Sequence, residues 1–226
     1  MTQSSSTIRA PLPHGSQNPL ADSQDEVDKP EVDETEPEFP PHIITIDRYK
    51  RLVESGVYGP KDPVFLWKGR LVEKMTKGDS HALSCSIAVD LLIRLVPEGW
   101  CVRGDQPIVL SDNSIPEPDV TVLRGRFRDY ARQTPMTSDI ALVIEVADSS
   151  LRMDTRGVLK AYASNSIPIY WIVNIPNNRV EVYSLPTGPS EQPSYEERRE
   201  YGPDDEIPVI LDGIEIGRIV AKEILP

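Results

Sequence analysis

The sequence predicts an α/β or α+β domain built on one mixed sheet. Three observations carry that expectation. Ala141-Leu142-Val143-Ile144-Glu145-Val146-Ala147 and Ile169-Tyr170-Trp171-Ile172-Val173-Asn174 are apolar runs of strand length. A helical segment near 152–164 lies between them. Lys68-Gly69 and Pro176-Asn177-Asn178 read as tight turns joining strand-like segments. Strands with a few interleaved helices pack as a sheet with helices against it.

Element by element, Thr45 to Ser55 reads as a short helix that Gly56 stops. Val64 to Trp67 and Arg70 to Met75 read as a hairpin. Asp79 or Ser80 can cap the next helix, which runs to about Val96, with Leu83, Ile87, Leu91, Leu92 and Leu95 at helical spacing. Pro97-Glu98-Gly99 ends it. Strands are expected at Trp100 to Gln106, Ile108 to Leu110, Asp119 to Leu123 and 140–147. After the 152–164 helix come strands at 169–174, Arg179 to Ser184, Tyr195 to Tyr201 and Ile207 to Leu211, then a last turn. No internal repeat is visible.

The 226 residues, 38% hydrophobic and 27% charged, suffice for one sizeable core. The longest apolar runs, about eight residues, are too short to span a bilayer. MTQSSSTIRAPLPHG has no apolar signal segment, so a cytoplasmic protein without membrane contact is expected. Cys85 and Cys101 make neither a disulfide framework nor a zinc site and read as packing residues. The net charge is −12. Residues 1–41 hold nine acids from Asp22 to Glu38 against Arg9 and Lys29, a net −7, and residues 42–226 hold −5. The first 41 residues are rich in Ser, Pro, Asp and Glu and are expected to be a disordered acidic tail, with the folded domain at 42–226. The tail reads as a solvated spacer or as a segment that repels DNA phosphates. The acidic balance argues against tight non-specific DNA binding but leaves room for a local basic patch.

Three acids fall in strand patterns: Glu73, Asp119 and Glu145. By alternation, Glu145 shares a face with Ala141, Val143 and Ala147. An isolated carboxylate there costs several kcal/mol, about what a buried charge forfeits. A hard divalent cation would offset that cost, because magnesium is held by one or two carboxylates plus water and phosphate oxygens. Competing readings stand beside this one. Asp119 can be a turn residue at a strand start, Glu145 the partner of a buried arginine, and Glu73 an exposed hairpin residue.

Several motifs fall in order along the chain: Pro118-Asp119, Glu145-Val146, Asp154, Tyr162 and Ile167-Pro168-Ile169-Tyr170-Trp171-Ile172-Val173-Asn174. With Gly69 to Met75, His81, Tyr201-Gly202-Pro203 and Val209 to Gly213, they resemble a bacterial branch of the Uma-two family of restriction endonucleases, in the PD-(D/E)XK nuclease superfamily. The resemblance spans about residues 45–226. It implies a restriction-endonuclease-like mixed β-sheet flanked by helices, here with extra C-terminal strands. It implies Mg²⁺- or Mn²⁺-dependent hydrolysis of DNA phosphodiesters, with Asp119 and Glu145 as metal-binding and catalytic carboxylates. Glu73, His81 and Asp154 match positions near the site, His81 also being open to a capping or packing role. Fold analogy allows a homodimer.

The family's lysine position departs from the pattern. Two residues after Glu145 stands Ala147, and the position on the following helix is Val158. Lys160 is the nearest lysine, yet two residues along a helix is about 200° of rotation. Either a register shift brings Lys160 inward as the catalytic cation, or Lys74 serves from the hairpin, or cleavage is weakened. The alternative is a degenerate nuclease fold that holds DNA or a protein partner without cutting; a weaker third reading is a small-molecule phosphate hydrolase. Arg124, Arg126, Arg128 and Arg132 read as a phosphate-contacting edge beside the site or as a solvated loop.

Overall fold

The computed structural model describes residues 40–59 and 62–226. The expected disordered tail, but for its last two residues, lies outside them. The described chain runs α1 (Ile46–Glu54), β1 (Val64–Trp67), β2 (Arg70–Glu73), α2 (Asp79–Leu95), β3 (Trp100–Gly104), β4 (Val120–Arg124) and β5 (Ile140–Ala147). It continues through α3 (Leu151–Met153), a π turn (Asp154–Val158), α4 (Leu159–Ser164), β6 (Ile169–Asn174), β7 (Arg179–Pro186) and β8 (Tyr195–Tyr201). The hairpin β9 (Glu206–Leu211) and β10 (Ile214–Val220) and the short α5 (Ala221–Ile224) complete it.

Strands β3 to β8 form one six-stranded sheet in chain order. Only β5 and β6 run parallel, because the helical segment 151–164 carries the chain back between them. All other neighbours are antiparallel, so the sheet is mixed. One face packs Ile144, Val146 and Trp171 against α2, the β9–β10 hairpin and α5. The other packs Val143, Tyr170 and Ile172 against Leu159, Tyr162 and Ala163 of α4. The expected mixed sheet flanked by helices, with extra C-terminal strands, is the observed architecture.

Local rules explain most elements. The Thr45 hydroxyl accepts from the Arg48 backbone and starts α1. Lys68 and Gly69 both adopt positive φ, the mirror-image turn that suits a two-residue hairpin. Gly69 has a second reason to lack a side chain, since an added Cβ would clash with the Ile43 side chain.

Five expectations need correction. Neither Asp79 nor Ser80 caps α2: the cap position is Gly78, with no side-chain cap hydrogen bond, and Asp79 is the first helical residue. Ile108 to Leu110 makes only isolated bridges, from Val109 to Met136 and from Leu110 to Ser114, and joins no sheet. Residues 214–220 form a strand that Gly217 had hidden; it pairs with β9 through an irregularity between Glu215 and Gly217. Helix α2 buries His81, Ser84, Cys85, Ala88 and Leu92 and leaves Leu83 exposed. Small residues there admit close approach to the sheet, while Ile87, Leu91 and Leu95 still pack against the same core, so of the expected apolar stripe only Leu83 falls outside it. Finally, Ala141 belongs to the opposite face from Val143 and Ala147, because the β4–β5 register slips between Val122 and Leu123.

Candidate active site

The β4–β5 pairing puts two carboxylates side by side. Val120 is opposite Ile144, so Asp119, one residue before β4, lies next to Glu145. The Asp119 backbone N–H donates to Glu145 Oε2 at 3.3 Å, and the Val146 N–H donates to Asp119 Oδ2 at 2.7 Å. Each strand therefore fixes the other's acid. Glu145 Oε1 accepts from the Tyr162 hydroxyl at 2.6 Å. Among the described residues no arginine pairs with Glu145, which counts against the competing reading of a buried salt bridge.

Helix α2 and its approach complete the surroundings of Asp119. Lys77 Nζ lies 2.6 Å from Asp119 Oδ1 and also contacts Asp105. His81 Nε2 lies 3.1 Å from Asp119 Oδ2, while its Nδ1 is 3.3 Å from Cys85 Sγ. Asp119 accepts, so the network assigns the ring proton to Nε2 and leaves Nδ1 to accept from the thiol. Asp154, in the π turn, accepts from the Ser150 hydroxyl.

These neighbours sort the acids electrostatically. Burial alone would raise Asp119, but the His81 hydrogen bond, the Lys77 ammonium and the Val146 N–H outweigh it and hold its carboxyl below the ordinary range. Burial would lower Lys77, but Asp119 and Asp105 outweigh that, so the ammonium keeps its proton. Burial, then the charges of Asp119 and Asp154, push Glu145 well above the usual carboxylate range. Burial pushes Asp154 up to about 6, with Ser150 opposing. Burial also raises the Cys85 thiol, which keeps it protonated.

The acids open into a cavity of about 300 Å³. The β1–β2 hairpin forms one wall, held by hydrogen bonds from Ile115 N to Leu66 O, Lys68 N to Ser114 Oγ and Gly69 N to Asn113 O. Glu73, Glu117, Asp119, Glu145, Asp148 and Asp154 line the cavity against two lysines, Lys74 and Lys77. Such an excess of carboxylate is costly in a confined space unless cations or protons offset it. The donors are hard oxygens, and Asp119 Oδ1 and both Glu145 oxygens keep a lone pair beyond those their partners use, while Asp119 Oδ2 is taken by Val146 and His81. That set fits a hard divalent cation. His81, Cys85 and Asp119 also cluster, with ligand atoms within 4.8 Å of one another. They suit a soft metal poorly: the thiol is protonated and the two ring nitrogens face different partners.

Residues 48–216 match the Uma2 (Uma-two) family, described as "Putative restriction endonuclease". The chain belongs to the Uma2 family. Its fold also resembles a crystal structure titled as "a putative nuclease belonging to DUF820" from Anabaena variabilis. That likeness has a TM-score of 0.58 at 17% identity, over 80% of this chain and 97% of the other, and bears on the fold. No curated protein matches the sequence. Among the described residues no helix is long and apolar enough to cross a membrane.

The other residues that the Uma2 resemblance and the charge pattern singled out fall in two groups. Glu73, His81 and Asp154 line the same cavity as Asp119 and Glu145. Lys160 does not; it is exposed on α4. The π turn does shift the helix register, since the Leu159 N–H bonds back to Asp154 O. Absorbing one residue is worth about 100°, which leaves Lys160 some 140° from Asp154. Lys74 lines the cavity, but its ammonium pairs with Glu117 at 2.7 Å. Arg124 lies at the far end of β4 from Asp119, about 16 Å along the strand. It pairs with Asp212, donates to the Ser138 and Ile140 carbonyls and stacks over Trp100. Arg126 and Arg128 follow it, exposed, and none of the three lines the cavity. An arginine edge beside the site is therefore not what the fold builds.

Sequence reading missed Lys77, Tyr162's contact with Glu145, and Ser150. Lys77 precedes a helix cap in a polar linker, where nothing in the pattern marks it. A signal was available in hindsight: the N-terminal approach to a helix bearing His81 must pass close to whatever His81 touches.

Proposed function

We propose that this cavity is the active site of a Mg²⁺- or Mn²⁺-dependent DNA endonuclease in which Lys77 supplies the cation that the family places at Val158. The observation that supports it is the pairing of Asp119 and Glu145 at one sheet end, with Lys77 2.6 Å from Asp119.

In this reading Asp119 and Glu145 hold the ion. When bound, a divalent ion activates water and neutralises charge on the scissile phosphate. The rest falls to the chain itself. Val146 N–H and His81 orient Asp119, and Tyr162 orients Glu145. Lys77, kept protonated, offsets the charge of a phosphate oxygen entering beside Asp119. Asp154, with a carboxyl near 6, accepts a proton from water at its carboxylate around neutral pH.

One observation favours a second reading, a degenerate module that binds without cutting. The Lys77 ammonium can be a permanent occupant of the place a metal would take. Mn²⁺ titration by calorimetry and plasmid nicking, on wild type and Lys77→Met, separate the two. The nuclease reading expects wild type to bind Mn²⁺ and nick DNA, and Lys77→Met to bind Mn²⁺ at least as well while nicking about 10²-fold more slowly. Wild type that neither binds Mn²⁺ nor nicks, with Mn²⁺ binding appearing only in Lys77→Met, would sink it.

A further inference from the structure

We infer that the Phe65–Trp67 face of the β1–β2 hairpin is a base-stacking subsite, so that the cavity takes an unpaired nucleotide of single-stranded or locally opened DNA. The inference rests on the nuclease reading for the acid side of the cavity and adds the substrate class.

Phe65 and Trp67 are two apart on β1 and so share a face, with Val72 opposite Phe65 on β2. All three line the cavity that holds Asp119 and Glu145. The two rings stand edge-to-face, 6.3 Å apart, and both are only partly buried. Met75 and Met153 also line it and are about half exposed, at 48% and 47%. Large apolar side chains left accessible around a concave site mark a ligand surface. The hairpin thus brings an aromatic, apolar patch to a cavity whose other carboxylates and Lys77 come from outside it, with Glu73 and Lys74 at the end of β2.

Size and chemistry select the ligand. About 300 Å³ is at the small end of ligand sites. It does not admit a duplex, whose major groove alone is about 12 Å across. A single nucleotide divides as the cavity does. Its base is an apolar π surface for Trp67 and Phe65, and its phosphate belongs with Lys77 and a metal at Asp119 and Glu145. Enzymes that act on a confined nucleotide take it from single strands or turn it out of the stack. Aromatic platforms hold such bases with little sequence preference.

The test is equilibrium binding of labelled oligonucleotides, read by fluorescence anisotropy in Ca²⁺, which occupies oxygen sites without demanding octahedral geometry. A short oligothymidylate is expected to bind at least about tenfold more tightly than a closed duplex of the same length. Trp67→Ala and Phe65→Ala should each weaken it by roughly 5- to 150-fold, the range for one stacked base. Trp67→Phe should retain most of the affinity. Because Trp67 also packs against the core, the ligand is varied too: oligonucleotides with one abasic position, moved along the strand, should show a matching loss on wild type at one register. Duplex binding equal to or tighter than single-strand binding overturns the subsite, as does indifference to both Phe65→Ala and every abasic position. Stacking with no cleavage of any DNA in Mn²⁺ would leave the subsite standing and fail the nuclease reading. Cleavage with no ring dependence would do the reverse.

Discussion

Glu145 and Glu181 stand in the same row of the sheet, and the fold treats them in opposite ways. Ile172 pairs with both, so they share a face about 10 Å apart, two strand spacings. Glu181 is 1% exposed and surrounded by donors. Asn174 donates to Oε1 at 2.7 Å, and Tyr183 and Arg198 donate to Oε2 at 2.7 and 2.8 Å, with Arg179 nearby. Burial alone would raise it, but those donors hold its carboxyl below the ordinary range. Glu145 has one hydroxyl and one long backbone contact, and two more acids close by push it up. The difference is one of supply. Glu181 is given its cations by the chain, whereas Glu145 is left short of them and takes up a proton or, in the proposed reading, a cation from outside.

The sharpest way to break the comparison is to remove each charge in turn. Glu145→Gln is expected to lower DNA cleavage by at least about 10³-fold, near the upper range for one electrostatic group, with the circular dichroism spectrum unchanged. Glu181→Gln is expected to leave cleavage within about threefold below its melting temperature. A similar loss from both would mean that the two acids do not differ in role.

Next in size is the cation. Lys77→Met should cost about 10²-fold in rate, and adding Val158→Lys to it should recover about tenfold, because both positions line the same cavity. On the wild-type background Val158→Lys should change the rate by less than about threefold. A large gain there would show that Lys77 does not fill the role.

A smaller effect is expected in stability. Glu181→Gln turns an amide N–H₂ toward donors and should cost about 2–3 kcal/mol in denaturant unfolding at pH 7. The cost should shrink as pH falls through the acid range, because a lowered carboxyl stabilises the native state only while ionised. Asp154 should behave inversely. Its carboxyl lies near 6 when folded and about 3.9 when unfolded, so the native state binds the proton more tightly. Its stabilising proton is in place below pH about 4 and is lost as pH rises through 6. Asp154→Asn should therefore match wild type near pH 4 and exceed it by on the order of 2 kcal/mol at pH 8 without metal. Added Mn²⁺ should erase that gain, because an ion favours the ionised acid.

Much of the fold was legible in the sequence because its signals are local. Strands 140–147 and 169–174 are bounded by their own apolar runs, and the turns at Lys68-Gly69 and Asn177-Asn178 declare themselves. The β10 strand was not legible, since Gly217 and alternating charges break its pattern and its partner supplies the order. On α2 the leucine spacing found most of the packed face but missed His81, Ser84, Cys85 and Ala88, because close approach to a sheet selects small residues. At the site, Asp119 and Glu145 could be read as acids in strand patterns, a conflict between local propensity and chemistry. Lys77 could not, because its meaning lies in a contact 42 residues away. Arg124 carried a charge pattern without a position, and the strand's length decided where it went.

A helix that carries one residue too many can shed it and remain a helix. The widened turn at Asp154–Val158 brings Asp154 and Tyr162, eight positions apart, closer into line on the cavity; without it they would diverge by about 80° rather than 20°. Gly157 touches nothing with the space a side chain would fill. Its deletion would tighten the spiral, swing the aspartate toward solvent and leave the tyrosine in place. If the proposed nuclease reading holds, a cutting and a non-cutting form of this scaffold would stand one codon apart.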